Sequence, residues 1–146
     1  MAEQEKYTKF HTKQEGERLQ LELCVAHVEK IAHMFEEVFG MYSIENSPGW
    51  CHLRHPKHYD IMLIAPTISR SGKEDLPDPG TGGMGLEIVI CTKGIPEKRT
   101  ALQHRGYPCS ELRYPPWGSV EFIFTLQEGY SIRVKQPPEL RESVCA

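Results

Sequence analysis

The sequence contains no long hydrophobic run and no excess of positive charge. No stretch approaches the roughly 18 apolar residues that a membrane span requires. No apolar segment follows the polar N-terminal residues, so we expect no signal peptide. The formal net charge of −3 gives no electrostatic case for binding nucleic acid. We therefore expect a cytoplasmic protein with no nucleic-acid and no membrane partner.

Paired cysteine motifs are also absent. The five cysteines are an odd set without a C-x-x-C pair, so we expect free thiols rather than disulfides in a reducing compartment. The glycines of residues 80–83 are not followed by the Lys-Ser/Thr pair of a phosphate-binding loop, and no Ser-His-Asp signature occurs. The 146 residues suffice for one domain with a real core, or for two small modules.

Hydrophobic periodicity predicts the elements of the first half. Leucines alternate with polar residues from Leu19 to Val25, which is the period of a half-buried strand. Apolar residues then recur at helical spacing from His27 to Phe39, and Gly40 is a typical helix end. A short strand starts at Met41, and residues 50–55 and 59–65 form two further strands joined at Pro56.

The second half repeats this pattern at an offset of about 67 residues. Strand alternation returns at residues 86–91 and a helix is predicted from Ile95 to His104. Alternation returns again at residues 120–125, and the Glu128-Gly129 turn leads into a last strand. We expect a polar tail over residues 1–16, modules over 17–66 and 84–137, a mobile linker over 67–83, and a C-terminal tail over 138–146.

The repeat resembles the vicinal oxygen chelate superfamily of glyoxalases, bleomycin-resistance proteins and dioxygenases. The similarity is carried by Gly106-Tyr, Pro116-Trp-Gly, Glu121-Phe-Ile-Phe and Glu128-Gly-Tyr-Ser-Ile, although Thr125-Leu-Gln-Glu stands where the family has Asp-Pro-Asp. The resemblance covers roughly residues 18–137 and implies one α+β glyoxalase-like domain. In that fold, tandem β-α-β-β-β modules form a curled mixed sheet cup with the helices outside.

The resemblance also implies where a divalent metal would bind. The family's four cup-facing ligand positions fall here on Gln20, Met62, Glu87 and Arg133. Amide and carboxylate oxygens suit a hard divalent ion, whereas a thioether is a poor ligand for one. A guanidinium has no acceptor and brings a positive charge to the place of the cation. We therefore expect no metal and no other cofactor.

The first and last strands of a module are neighbours in this family, so Glu87 and Arg133 should lie side by side. We hypothesise that their ion pair occupies a vestigial metal position, because burying either charge alone would be costly. A purely structural salt bridge and an anion-binding arginine remain alternatives.

Two other groups of residues could carry chemistry. His52, His55 and His58 invite a zinc interpretation, but Pro56 interrupts them and alternation separates their faces, so we expect solvated hairpin histidines. Cys24 and Cys91 occupy equivalent repeat positions that face the cup, and we expect them to line a pocket rather than to act as nucleophiles.

The resemblance leaves two main functional classes. We expect a metal-independent small-molecule binding protein, similar to the bleomycin-resistance branch, that acts as a homodimer and holds an aromatic or anionic ligand. The alternative is a metal-dependent glyoxalase-like lyase or isomerase, in which Glu87 would be base or ligand beside Gln20; a structural or regulatory dimer is a third option. No catalytic residue is assigned, and the expected pocket residues are Gln20, Glu22, Met62, Glu87, Trp117, Ile123 and Arg133.

Overall fold

The computed structural model describes residues 19–56, 59–66 and 85–140. The polar tail predicted for residues 1–16 and the linker predicted for 67–83 lie outside these residues, as does most of the predicted C-terminal tail. No helix in the described part of the chain is both long and apolar enough to cross a membrane.

The first module has the predicted order of strand, helix and three strands. Its elements are β1 (Leu19–Cys24), α1 (Val28–Phe39), β2 (Tyr42–Ser47), β3 (Trp50–Arg54) and β4 (Tyr59–Ile64). The four strands form one sheet in the order β1-β4-β3-β2. The first and last strands run parallel, whereas β3 is antiparallel to both of its neighbours.

The second module repeats this topology in a reduced form. Its elements are β5 (Glu87–Cys91), α2 (Ile95–His104), β6 (Val120–Thr125) and β7 (Ser131–Gln136), and its sheet has the order β5-β7-β6. As in the first module, the first and last strands are parallel. The first helix begins at Val28, one residue after the predicted His27, and the second begins at the predicted Ile95.

The second strand of the β-α-β-β-β pattern is not continuous in this module. Between α2 and β6 the chain makes only two isolated bridges to β6, at Cys109 and Arg113. Pro108, Pro115 and Pro116 flank these bridges, and a proline has no amide hydrogen to donate to a ladder. The segment therefore follows the edge of β6 as an irregular loop.

The predicted apolar stripe of α1 is buried along its whole length. Its buried residues are Val28, Ile31, Ala32, Met34, Phe35, Val38 and Phe39. Gly40 ends the helix in the left-handed region at φ 70°, and its amide donates to the Glu36 carbonyl at 3.1 Å. Glycine adopts this conformation without the steric cost that a side chain would bring.

The helices lie on one face of the two sheets, and the modules share a single core. The Phe39 ring of α1 stacks on the Phe124 ring of β6, with 6.0 Å between the ring centroids. The β6–β7 turn also contacts the end of β1, because the Cys24 amide donates to the Tyr130 hydroxyl at 3.1 Å. The Ala26 amide donates to the buried Glu128 carboxylate at 2.8 Å. The two modules are thus tied together by both apolar and polar contacts.

Candidate functional site

Strand alternation divides the second sheet into a covered face and an open face. Isoleucines, valines and phenylalanines face the helices and are buried: Ile88, Ile90, Phe122, Phe124, Ile132 and Val134. The alternate residues define what we call the open face: Glu87, Val89, Cys91, Glu121, Ile123, Thr125, Ser131, Arg133 and Lys135. A polar face with partly exposed side chains is available for contact with a ligand.

Arg133 lies at the centre of the open face between two carboxylates. Its Nε and Nη2 donate to the two carboxylate oxygens of Glu87, at 2.7 and 3.1 Å. Its Nη1 donates to Oε1 of Glu121 at 2.6 Å. The hydrogen bond from Arg133 holds the pKa of the Glu87 carboxyl below its usual value, and the same bond raises the pKa of Arg133. Both charges therefore persist across the ordinary pH range.

The predicted contact between Glu87 and Arg133 is confirmed, and the structure adds a second acid that the sequence analysis missed. Glu121 is only 5% exposed, and its Oε2 also accepts a 3.4 Å hydrogen bond from the Ser119 hydroxyl. A signal for it was present, because Glu121 and Arg133 both alternate with buried residues on strands joined by a tight turn. Side chains at every second position of a strand lie on the same face, so the two alternations taken together would have placed Glu121 and Arg133 on one face.

A groove of about 620 Å³ runs along this face. Its floor is formed by Glu121, Arg133 and Lys135, and its wall by residues 113–117. The wall starts at a fixed point, because the Arg113 amide donates to the Glu121 carbonyl at 2.8 Å and the Glu121 amide returns a bond of 3.1 Å. It ends at Gly118, where φ is 91° and a Cβ atom would lie 3.2 Å from the Pro138 ring. The wall therefore has a defined position over the sheet.

Two aromatic side chains of the wall are unusually exposed. Tyr114 is 69% exposed and Trp117 is 70% exposed. Large aromatic rings contribute most of their stabilisation when buried, so an exposed pair beside a groove is a common feature of binding surfaces. Trp50, the counterpart of Trp117 in the repeat, instead opens β3 and lies edge-on to His52, with 6.1 Å between the ring centroids.

The expected pocket residues do not all lie together: four belong to the second module and three to the first sheet. Trp117 and Arg133 line the groove. Glu87 binds Arg133, and Ile123 is the register partner of Arg133 on the open face. The remaining three expected residues belong to the β1–β4 pair of the first sheet: Gln20, Glu22 and Met62. Met62 is the register partner of Glu22 and is only 8% exposed.

The first sheet contains a buried charged network on β3 and β4. Nε2 of His52 lies 2.9 Å from Oδ2 of Asp60, and both residues are 0% exposed. The Arg54 guanidinium donates to both oxygens of Asp60, from Nε and Nη2, at 3.1 Å each. The prediction of a solvated His52 was wrong, because alternation gives the direction of a side chain but not what packs over it.

The network fixes the protonation states of its members. Burial opposes ionisation of Asp60, but hydrogen bonds from Arg54 and His52 outweigh it and lower the pKa of the carboxyl. Burial also lowers the pKa of His52, because removal from water penalises the imidazolium more than the Asp60 contact favours it. We conclude that Asp60 is ionised and His52 neutral, with its Nε2 donating to the carboxylate.

We expect this network to make the fold acid-sensitive. The pKa values of His52 and Asp60 are both depressed in the folded state. As pH falls below the ordinary histidine pKa of 6.5, the unfolded chain therefore takes up a proton that His52 in the folded chain does not. Stability should then fall by up to about 1.4 kcal/mol per pH unit from this group, with a further loss at acid pH as Asp60 protonates. Urea unfolding at about pH 7.5 and about pH 5.5 measures the effect.

The control for that measurement is a second histidine. The variant His52→Gln should lose most of the difference between the two pH values, whereas His33→Gln, whose side chain is 71% exposed, should keep it. Equal pH dependence in all three proteins would contradict a neutral, buried His52.

Within the ranges that the structure describes, the cysteines and acidic residues are not grouped as metal ligands. The four cysteines of the described ranges are free; Cys24 and Cys51 are buried, and Cys91 is exposed on the open face. Across residues 19–56, 59–66 and 85–140, no three His, Cys, Asp or Glu side chains group closely enough to hold a metal ion. At the metal position implied by the resemblance, the Arg133 guanidinium donates hydrogen bonds to both carboxylate oxygens of Glu87. Since a guanidinium has no acceptor atom, the residues at this position do not fit a divalent cation.

Among known proteins, the similarities found for this chain are to solved structures. No protein-family model matches the sequence, and no curated protein matches it. A member of the glyoxalase/bleomycin resistance protein/dioxygenase superfamily from Sphaerobacter thermophilus superimposes with a TM-score of 0.58 at 19% identity, over 84% of this chain and 98% of that one. An antibiotic binding protein from a Streptomyces species gives 0.59 at 18% identity, over 84% and 97%. A lactoylglutathione lyase from Agrobacterium tumefaciens gives 0.55 at 15% identity, over 84% and 94%.

These matches establish the fold. The chain has the α+β fold of the glyoxalase/bleomycin resistance protein/dioxygenase superfamily, the vicinal oxygen chelate fold, as the sequence resemblance predicted. The same fold serves a lyase and a binding protein among these structures, so activity has to be argued from the site.

Proposed function

We propose that this chain is a metal-independent small-molecule binding protein of the vicinal oxygen chelate superfamily. The ligand binds in the groove between the open face of the second sheet and the wall of residues 113–117. The protein acts by holding its ligand, and no residue is assigned to a chemical step.

The observation that carries this proposal is the combination of an open groove with two exposed aromatic side chains. The 620 Å³ volume lies within the usual range for a small-molecule site. Tyr114 and Trp117 offer flat apolar surfaces, and the polar groups of the floor can orient a ligand. An antibiotic binding protein with the same fold supports this class of function.

Metal independence is proposed because a protein cation lies at the position where a metal would act. The Arg133 guanidinium is permanently charged and bonds to both Glu87 and Glu121. A divalent ion would have to displace it and then compete for the same carboxylates. Under this proposal Arg133, Glu87 and Glu121 occupy a vestigial metal position, and their ion pairs now support the floor of the groove.

The proposal includes a homodimer in a cytoplasmic setting. In the described residues β1, β2 and β5 each lack a neighbour on one side, and unpaired strand edges favour association. The open face also carries Val89, which is 46% exposed beside Arg133. A second chain that covers this face would deepen the groove, and Gln20 and Glu22 remain candidates for the opposite wall.

Native mass spectrometry with metal analysis, on protein purified without added metal or a histidine tag, tests the proposal. We expect a metal-free dimer that retains a small organic mass. The variant Arg133→His removes the guanidinium and adds a metal-ligating imidazole next to Glu87 and Glu121. It should bind about one zinc or nickel ion per chain where the original protein binds none.

The original protein and the Arg133→His variant test different parts of the proposal. Stoichiometric metal in the original protein would contradict metal independence and favour the glyoxalase-like lyase or isomerase. Absence of metal from a folded Arg133→His variant would contradict the vestigial position, but would leave ligand binding in the groove intact. A monomer would contradict the dimer alone.

A further inference from the structure

We infer that the ligand of this groove is a planar aromatic molecule with one negatively charged group, a carboxylate. Lys135 and Arg113 bind the carboxylate, and Trp117 contacts the ring. This inference rests on the proposed function, since it names the ligand class of the same groove.

Arg133 is not the group that binds the anion. Its Nε, Nη1 and Nη2 already donate to Glu87 and Glu121 at 2.6–3.1 Å. An incoming carboxylate would have to replace two carboxylates that are part of the fold, one of them nearly buried. The hypothesis of an anion-binding arginine therefore moves from Arg133 to its neighbours.

Lys135 and Arg113 flank the buried Glu121 in one row across the sheet. Lys135 is the register partner of Glu121 on β7, and Arg113 is its bridge partner on the other side. Both side chains line the groove. Within the part of the chain that the structure describes, neither makes an ion pair with a carboxylate, and the Glu121 carboxylate between them is bonded to Arg133 and Ser119. They are the positive groups that remain available to a ligand.

The charge of the site specifies a monoanion. Arg113, Arg133 and Lys135 bring three positive charges, and Glu87 and Glu121 bring two negative ones, so one positive charge remains uncompensated. This local excess occurs in a chain whose formal net charge is −3. A single carboxylate balances it, whereas a phosphate dianion would leave negative charge beside Glu121 and Glu87.

The aromatic part of the ligand follows from the wall of the groove. Tyr114 and Trp117 are each about two-thirds exposed, and a planar ring placed against them would remove apolar surface from water on both partners. Lys135 belongs to the floor and Arg113 to the start of the wall, where its backbone pairs with Glu121, whereas the two rings lie further along the wall. One molecule with a ring and an attached carboxylate can therefore contact both groups.

Isothermal titration calorimetry with naphthoate, its uncharged amide naphthamide, and cyclohexanecarboxylate tests the inference. Naphthoate should bind about tenfold more tightly than naphthamide, because charge-assisted hydrogen bonds are stronger than neutral ones. Cyclohexanecarboxylate should bind more weakly than naphthoate, because it lacks the planar ring. The variant Lys135→Met should bind naphthoate and naphthamide about equally, and Trp117→Ala should weaken both about three- to tenfold.

Two further variants complete the design. Lys30→Met removes an exposed lysine of α1 that lies over the Tyr107 ring, and it should leave all three affinities unchanged. Arg113→Gln repeats the charge test on the wall, so a Lys135→Met chain that failed to fold would not end the experiment.

The outcomes distinguish the anion assignment from the binding role of the groove. Equal affinities for naphthoate and naphthamide, both weakened by Trp117→Ala, would overturn the anion assignment and leave the groove as a binding site. Preferential binding of naphthoate that survives both charge variants would also overturn it. Failure of every probe to bind would overturn the anion assignment together with the aromatic binding role of the groove.

Discussion

Replacement of Asp60 by alanine is expected to lower the free energy of unfolding by about 3–5 kcal/mol. Asp60 is fully buried and accepts hydrogen bonds from Arg54 and His52. The substitution removes the carboxylate that balances the Arg54 charge in a site with little access to water, and both partners lose their bonds to it. Urea unfolding at neutral pH measures the loss.

Two further variants serve as controls for Asp60→Ala. Glu111 lies 3.9 Å from Arg99, but its side chain is 95% exposed, so Glu111→Ala should change stability by no more than about 0.5 kcal/mol. The combined variant His52→Leu, Arg54→Met, Asp60→Leu should be more stable than Asp60→Ala, because it removes every charge of the network. A loss below about 1 kcal/mol for Asp60→Ala would contradict a buried ion pair.

Replacement of Phe124 by alanine is expected to cost about 3–5 kcal/mol and to destabilise both modules together. Phe124 is completely buried on β6, and its ring contacts Phe39 of the first module and Tyr107 of the second. A cavity at this position would remove packing from α1 as well as from the second sheet, so the whole domain should respond.

The two tryptophans allow that coupling to be measured. Trp50 lies in the first module and Trp117 in the second, so variants that retain only one of them report each module by fluorescence. Phe124→Ala should shift both unfolding transitions to the same lower midpoint, as expected for one cooperative unit. Tyr114→Ala, at an exposed aromatic residue, should shift neither by more than about 0.5 kcal/mol. A shift confined to the Trp117 signal would mean that the modules unfold independently.

The order and type of most elements could be predicted from the sequence. A period of two marked β1, β5, β6 and β7, and a helical period marked α1, because these patterns reflect which side of a local element faces the core. The repeat linked the two halves, and the resemblance then supplied the pairing of first and last strands. The contact between Glu87 and Arg133 was predictable for that reason.

The same periodicity says nothing about the depth of burial or about contacts between residues far apart in sequence. His52 was expected to be solvated and is buried against Asp60, because that depends on what packs over the face. The resemblance placed Trp117 at the pocket, but the path of the rest of the groove wall was not predictable, since an irregular loop has no period and is held by two bridges to β6.

The sequence by itself determined two related α+β modules and the alternation of polar and apolar residues on the strands of the second sheet, and its resemblance to a known fold added one ion pair. Only the tertiary structure decided that Glu121 joins Arg133, which leaves Lys135 and Arg113 as the cations available to a ligand. The physical reason is that alternation along one strand predicts only the face on which a side chain lies. Which charges pair with each other depends on distances between different strands. These distances exist only after the sheet has formed.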